Sequence, residues 1–148
     1  MTEQELRCFI DVVVNYFREV TGEPCEMGIP FVKDSNAVIA DYTGLIGISG
    51  SRKGAVNITS TRMMLSEIAS IILGDAEPDE ALVTDMAGEI ANTIAGNVRE
   101  TFGSSFMISV PIVIKGQPKD VIFRLAPPVF IIPIRWRSHS SFLAVGLE

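Results

Sequence analysis

The chain has 148 residues, of which 47% are hydrophobic and 20% charged, a composition that excludes a disordered protein and suits one globular domain. No apolar run reaches the roughly 18 residues of a transmembrane helix, and the start of the chain does not resemble a secretory signal, so we expect a cytoplasmic protein with no membrane partner. The formal net charge of −6 and the scattered basic residues argue against nucleic acid as a partner.

The first predicted elements are a helix and a β-hairpin. Residues 3–20 place apolar side chains at helical spacing along one side, and Gly22 follows as a plausible end of the helix. Residues 37–60 then change to the periodicity of strands. Glycines flank the polar residues 51–53 within this stretch, which is the pattern of a hairpin turn.

Two further helices and a second group of strands complete the pattern. Residues 61–73 and about 79–102 return to helical spacing, and each stretch stops at a glycine. Strand patterns then occupy most of the remaining chain, over residues 108–115, 121–125, 129–138 and 141–148. Pro111 and Pro133 lie inside these patterns and predict sheet edges or bulges there. Strand runs separated by helices predict an α+β fold with a mainly antiparallel sheet.

A weak internal repeat relates the two long helices. A shift of 81 residues brings Gly22 onto Gly103 and Pro30 onto Pro111, so that a helix ends and a strand begins after the same loop length. The alternative is a chance match among residues that commonly stop helices. A real repeat predicts a pseudo-twofold fold with two long helices packed on the sheet. The predicted division is one domain over 1–148, with half-repeats of about 1–60 and 79–148 linked by helix 61–73.

The longest helix carries an unusual polar face within the stretch GEIANTIAGN, residues 88–97. Glycine costs a helix interior about 0.5–1 kcal/mol relative to alanine, and asparagine is also a poor helix residue. At about 100° per residue, one stripe collects small and polar residues, namely Asp85, Gly88, Glu89, Asn92 and Gly96. Solvated faces favour Lys, Glu, Gln and Ala. The stripe therefore predicts either a functional face with a shallow groove at its glycines or close packing against the protein's own core.

Glu89 and Asn92 are the candidate catalytic pair, because a carboxylate and a carboxamide three residues apart can reach one target. The amide can orient a water molecule but cannot act as a base. No nucleophile with a nearby base accompanies them, since the single histidine, His139, is far away in sequence. Metal ligation by these residues together with Asp85 is conceivable, but no ligand loop is present. The pattern fits positioning chemistry on a substrate that is already activated.

The pattern Asp85-xxx-Glu89-xx-Asn92 within DMAGEIANTIAGNVRE resembles the CheC/CheX/FliY family of response-regulator phosphatases. GLIGISGSRKGAVNITST before it and ISVPIVIKG after it are similar to the same family, and the CheX-like members are most similar. The resemblance covers roughly residues 5–148. It implies hydrolysis of the aspartyl phosphate of a CheY-type response regulator in chemotaxis signalling, with a CheC-like pseudo-twofold fold.

The same resemblance implies roles for individual residues. Asn92 would orient the attacking water, Glu89 would pair with a lysine of the regulator, and Asp85 would support them, beside Gly88 and Gly96. The regulator would supply Mg²⁺, so the resemblance implies no cofactor or metal of the chain's own. CheX-like proteins form homodimers through their sheets, and a homodimer is therefore expected.

Two features depart from the family pattern. The shift of 81 residues places Cys8 on Glu89 and Asp11 on Asn92, so the first long helix lacks the pair and we expect one active site per chain. Only 18 residues separate Asn92 from Pro111, fewer than in the family pattern, which predicts a shortened connection from helix to strand.

Two other functions are compatible with the sequence. The first is a non-catalytic module that docks a receiver domain or a chemotaxis or flagellar protein on the same face. The second is a small-molecule binding domain, which would need a pocket between the helices and the sheet. Cys8 and Cys25 form no CxxC motif and are expected to be reduced.

Overall fold

Three helices pack on one antiparallel sheet in the part of the chain that the structure describes. The structure is a computed structural model that describes residues 1–33, 38–74, 77–120, 122 and 128–148. The elements in chain order are α1 (Glu3–Thr21), β1 (Glu26–Met27), β2 (Phe31–Val32), β3 (Tyr42–Gly50), β4 (Gly54–Ser60), α2 (Arg62–Leu73), α3 (Glu80–Phe102), β5 (Phe106–Ile108), β6 (Ile112–Lys115), β7 (Phe130–Trp136) and β8 (His139–Leu147). The predicted α+β class is confirmed. Across the described ranges, no helix has the length and apolar character needed to cross a membrane.

Local sequence signals set both ends of these helices. Each one begins after a side chain that accepts a backbone hydrogen bond from three residues further on, and these caps are Thr2, Thr61 and Asp79. α1 and α2 end at Gly22 and Gly74, whose φ angles of 73° and 68° lie in the left-handed region that glycine adopts without strain. α3 ends at Gly103. The predicted glycine stops are therefore confirmed.

The sheet consists of two hairpins whose inner strands lie side by side. β3 pairs with β4 and β7 with β8, and pairing of β4 with β8 joins the two hairpins. Each edge of the sheet consists of two short strands in place of one long strand, and we call it a divided edge. One divided edge is β5 and β6, which both pair with β3, and the other is β1 and β2, which both pair with β7. The hairpin predicted within 37–60 is confirmed. The strand predicted at 121–125 lies outside the described residues, except for Ile122, which is not in a strand.

The two prolines lie where these edges are divided. The strand predicted over 108–115 is broken into β5 and β6, with Pro111 in the break. Pro133 lies in β7 opposite the gap between β1 and β2, where its carbonyl accepts a hydrogen bond from the Gly28 N–H at 2.8 Å. Since proline has no N–H to give to a continuous ladder, the interruptions suit its chemistry. The prediction of an edge is confirmed at Pro111 and wrong at Pro133, because β7 pairs with β8 on one side and with β1 and β2 on the other.

The pseudo-twofold arrangement is visible in matched hydrogen bonds of the two halves. The Gly28 N–H donates to the Pro133 carbonyl at 2.8 Å, and the Ser109 N–H donates to the Gly47 carbonyl at 2.9 Å. An offset of 81 relates Gly28 to Ser109, whereas an offset of 86 relates Gly47 to Pro133. A single shift of 81 therefore aligns the long helices and edges but not the hairpins. The half-repeat boundaries themselves stay a prediction.

The hydrophobic core lies between the helices and the sheet and fixes the rotation of α3. Among its largest fully buried side chains, α1, α3 and β7 supply Phe9, Phe17, Ile90, Ile94 and Trp136. Burial of one such side chain contributes about 1.5–3 kcal/mol. Rotating α3 about its axis would expose its share of this surface, so its opposite face is held toward solvent.

Candidate functional site

One face of α3 is exposed and carries the predicted polar residues. Asp85, Glu89 and Asn92 are all exposed. The opposite face is buried and consists of Ile90, Ile94 and Val98. Residues three apart on a helix project side by side, separated by about 4.5 Å along the axis. The structure thus brings the carboxylate and the carboxamide of the predicted pair together on an accessible surface.

The two glycines of the stripe have different surroundings. A Cβ at Gly96 would meet no atom within 4 Å, so the surface is open there. A Cβ at Gly88 would lie 3.2 Å from Val113 Cγ2 and 3.7 Å from two atoms of Pro111. The predicted groove is therefore present beside Gly96, whereas Gly88 lets the divided edge of the sheet lie close to the helix. Close packing against the protein's own structure, one of the two alternatives weighed for the stripe, therefore occurs at Gly88, while a functional face stays a prediction.

An ionic cluster fixes the N-terminal end of α3. The Glu80 carboxylate accepts hydrogen bonds from the Tyr42 hydroxyl and the Arg62 guanidinium, and Lys115 Nζ lies 2.7 Å from Glu80 Oε1. The contacts from Lys115 and Tyr42, with Arg62 adding to them, lower the pKa of Glu80 to about 2. These partners belong to β6, β3 and α2. The start of the helix that carries the site is thereby tied to three other elements.

Arg99 fixes the C-terminal end of α3. Its Nε donates to the Phe106 carbonyl at 2.8 Å, and a terminal guanidinium nitrogen donates to the Ser104 carbonyl at 3.1 Å. The connection from helix to strand consists of residues 103–105. The side chain of Arg99 therefore crosses this short connection and holds the first residue of β5 near the last turns of α3.

Glu89 lies at the junction of α3 with α1. Thr93, one turn further along α3, donates its hydroxyl to Glu89 Oε1 at 3.3 Å. Tyr16 of α1 is 3% exposed, and its burial together with the charge of Glu89 raises the pKa of its phenol. The phenol therefore stays protonated beside the carboxylate. The spacing of Thr93 could have been found in the sequence, but the proximity of Tyr16 depends on helix packing and could not.

A cleft of about 560 Å³ opens beside this face, between α1, α2 and α3. Apolar side chains form most of its lining, including Ile72, Leu73, Leu82 and Met86. Asp85 and Glu89 line it on the α3 side. The pocket considered for a small molecule was expected between the helices and the sheet, whereas this cleft lies between the helices. Sequence reasoning missed the α2 residues, because nothing in their local pattern shows which face of α3 they approach.

Other residues considered for chemistry lie apart from this face. His139 Nε2 contacts Glu67 of α2 at 2.7 Å. At the positions that match Glu89 and Asn92, α1 has Cys8, which is partly buried, and Asp11, which is exposed. In the described ranges, no three His, Cys, Asp or Glu side chains are grouped so that they could hold a metal ion.

The arrangement suits the orientation of water near a substrate that brings its own reactivity. An exposed carboxamide donates and accepts hydrogen bonds, and an exposed carboxylate attracts a cation. Both groups lie on a helix that is fixed at each end and buried along its opposite face. Such rigid placement is what catalysis by positioning needs.

The family described as chemotaxis phosphatase CheX matches residues 42–135 of the chain. The matched stretch runs from the start of β3 into β7 and includes Asp85, Glu89 and Asn92. A search of curated proteins found no match.

Solved structures with the same fold include several chemotaxis proteins. A CheC-like superfamily protein from Shewanella sp. PV-4 is 26% identical, with a TM-score of 0.87, and the match covers 100% of this chain and 99% of that one. Chemotaxis protein CheX from Desulfovibrio desulfuricans is 25% identical, with a TM-score of 0.87 and coverage of 98% and 99%. A CheX–CheY–BeF₃–Mg²⁺ complex from Borrelia burgdorferi matches at 20% identity, a TM-score of 0.77 and 97% coverage of each chain. The predicted CheC-like fold is confirmed.

Proposed function

Because the chain belongs to the family of the chemotaxis phosphatase CheX, we propose that it hydrolyses the aspartyl phosphate of a CheY-type response regulator in the cytoplasm. The observation that carries the proposal is the exposed pair of Glu89 and Asn92 on α3, inside the matched stretch. The Borrelia burgdorferi relative, which is seen in complex with CheY, BeF₃ and Mg²⁺, supports a regulator as the partner.

In this proposal Asn92 orients the attacking water. Its carboxamide oxygen accepts a hydrogen bond from the water, whose oxygen then forms a bond to phosphorus as the bond to the aspartyl oxygen breaks. The products are the free carboxylate of the regulator and inorganic phosphate, and the proton released from water passes to solvent. An acyl phosphate is already activated, so holding the water in line is the main contribution required of this chain.

Glu89 acts in docking. Its carboxylate pairs with a lysine of the regulator, and Asp85, one turn earlier on the same face, adds negative charge nearby. The hydrogen bond from Thr93 at 3.3 Å restricts the carboxylate to one side of the helix. Mg²⁺ is expected on the regulator.

The decisive experiment measures loss of ³²P from a labelled CheY-type regulator with catalytic amounts of this protein. Asn92→Ala is expected to lower kcat about 100-fold or more, because positioning of the water is lost. Asn97→Ala is the matched control, since Asn97 is an exposed amide on the same helix but outside the stripe. Full activity of Asn92→Ala would reject the assigned role. Binding of regulators by the intact protein without faster hydrolysis would instead favour a non-catalytic docking module.

We also propose a homodimer formed through the sheet, as the resemblance implies. Both divided edges expose apolar side chains, which monomeric proteins rarely leave grouped at the surface. On one edge Ile29 is 87% exposed, and on the other Val110 is 81% exposed. Sedimentation equilibrium of Ile29→Asp and Val110→Asp would identify the edge that forms the dimer, and a dimer unaffected by both would reject this interface.

A further inference from the structure

We propose that the cleft between α1, α2 and α3 is the second half of the docking surface, and that it receives an apolar side chain of the regulator next to the cation held by Glu89. This inference rests on the phosphatase function proposed above. It adds a specificity-determining contact, because residues of α1 and α2, and not only those of α3, line the cleft.

The cleft exposes apolar surface where a helix ends. Ile72 and Leu73, in the last turn of α2, are 41% and 52% exposed, and the cleft they line has a volume of about 560 Å³. Grouped apolar side chains at the surface mark sites of interaction. A volume of this size accepts a leucine or methionine side chain together with part of the backbone that carries it.

The cleft is continuous with the proposed catalytic face. Asp85 and Glu89 belong to the polar stripe of α3 and also line the cleft. Asn92 follows Glu89 by three residues, so it lies less than one turn further along the helix. A partner that places a phosphoryl group at Asn92 and a cation at Glu89 therefore extends over the mouth of the cleft.

The charges of the cleft select the chemistry of the occupant. Among the described residues that line it, the charged side chains are the carboxylates of Asp85 and Glu89, and the others are apolar or carry neutral hydroxyls. The phenol of Tyr16 stays protonated beside them, because burial and the charge of Glu89 raise its pKa. The complementary surface therefore presents an apolar side chain adjacent to a positive charge. The regulator already proposed supplies that charge as its lysine.

Substitution at the mouth of the cleft separates docking from chemistry. Leu73→Gln and Ile72→Gln remove the apolar contact with a side chain of similar size that is also a good helix former. The matched control is Met63→Gln, because Met63 is 68% exposed on the same helix but does not line the cleft. Circular dichroism would check that all three variants fold.

The measured quantities are the Kd for a CheY-type regulator charged with beryllofluoride and Mg²⁺, and kcat at saturating phosphorylated regulator. Leu73→Gln and Ile72→Gln are expected to raise Kd about 10-fold, with kcat changed less than twofold and Met63→Gln without effect. An unchanged Kd, or a loss of kcat without a change in Kd, would overturn the inference. A change in the sedimentation of the free protein would also overturn it, by assigning the cleft to a contact between copies.

The docking role of the cleft and the phosphatase activity can be rejected separately by these measurements. Weaker binding by Leu73→Gln in a protein that binds regulators but never hydrolyses them would support the cleft and reject catalysis. Hydrolysis that depends on Asn92 but not on Leu73 would support catalysis and reject the cleft. Failure of the intact protein to bind any regulator would reject both.

Discussion

The two long helices occupy matching places in the fold but differ in what they present to solvent. α1 and α3 each end at a glycine whose N–H donates to the carbonyl of an arginine four residues earlier, Arg18 and Arg99 respectively. Each is followed by an edge in two pieces. α3 carries Glu89 and Asn92, whereas α1 has Cys8 and Asp11 at the matching places. The two helices thus share a position in the fold and differ in the side chains at matching places.

The packing of each helix against its edge differs as well. Gly88 of α3 allows Pro111 to come within 3.7 Å of where a Cβ would be, whereas the matching position in α1 is Arg7. A cavity of about 450 Å³ lies there, lined by Arg7, Ile10, Pro30 and other residues. The edge therefore packs closely only against the helix that carries the proposed site, and this packing requires a glycine at position 88.

The largest expected effect comes from moving the pair from one helix to the other. Cys8→Glu with Asp11→Asn, made in a protein that also carries Asn92→Ala, should leave kcat about 100-fold or more below that of the unmodified protein. The reason is that α1 has Arg7 where α3 has Gly88, so the edge of the sheet beside the transferred pair is not packed as it is beside the proposed site. Recovery of ³²P release to within tenfold of the unmodified protein would show that the pair alone suffices on either helix.

A smaller effect is expected from filling the close contact at Gly88. Gly88→Leu should lower the free energy of unfolding by about 1–3 kcal/mol, because its side chain must displace Val113 and Pro111. Urea denaturation followed by circular dichroism measures this change. Arg7→Leu at the matching place in α1 is the control and should change stability by less than about 0.5 kcal/mol. An equal decrease in the free energy of unfolding of both variants would contradict the conclusion that only α3 packs closely against its edge.

Gly96 should give an effect of opposite sign. Gly96→Ala is expected to raise the free energy of unfolding by about 0.5–1 kcal/mol, since alanine favours the helix and its Cβ would meet no atom within 4 Å. Thermal unfolding would register this as a higher Tm. A loss of phosphatase activity together with the gain in stability would indicate that the regulator approaches the helix at Gly96. A lower Tm would contradict the open surface.

The smallest effect concerns pH. The pKa of Glu80 is lowered to about 2, chiefly by Lys115 and Tyr42, so its contribution to stability is fully present above the ordinary value near 4.5. That contribution is lost as the pH falls through the folded value of about 2. In urea titrations, the difference in stability between the unmodified protein and Glu80→Gln should therefore shrink from pH 5 to pH 2. A constant difference over this range would show that the carboxylate is not held by these contacts.

Much of the fold and the exposure of Glu89 and Asn92 were predictable, because their signals are local. Glycine stops, polar caps and the hydrophobic spacing of α3 determine where the helices lie and which face of α3 points outward. The full repeat was not predictable from one shift, because the offset changes from 81 at Gly28 to 86 at Gly47. The different surroundings of Gly88 and Gly96 could not be predicted either, since they depend on where β6 lies. The same is true of Tyr16 and Leu73, which reach the site only through helix packing.

The exchange of edges between the halves bears on how the chain folds. Glu26 in β1 pairs with Arg135 in β7, and Ser49 in β3 pairs with Met107 in β5. The edge strands β1 and β2 of the first half pair with β7 of the second half, and β5 and β6 of the second half pair with β3 of the first. Neither half can therefore complete its part of the sheet alone. During synthesis the edge next to α1 has no partner until almost the whole chain has left the ribosome, and closing contacts of such large sequence separation is slow. The apolar residues of that edge therefore stay without their partner strand during this interval.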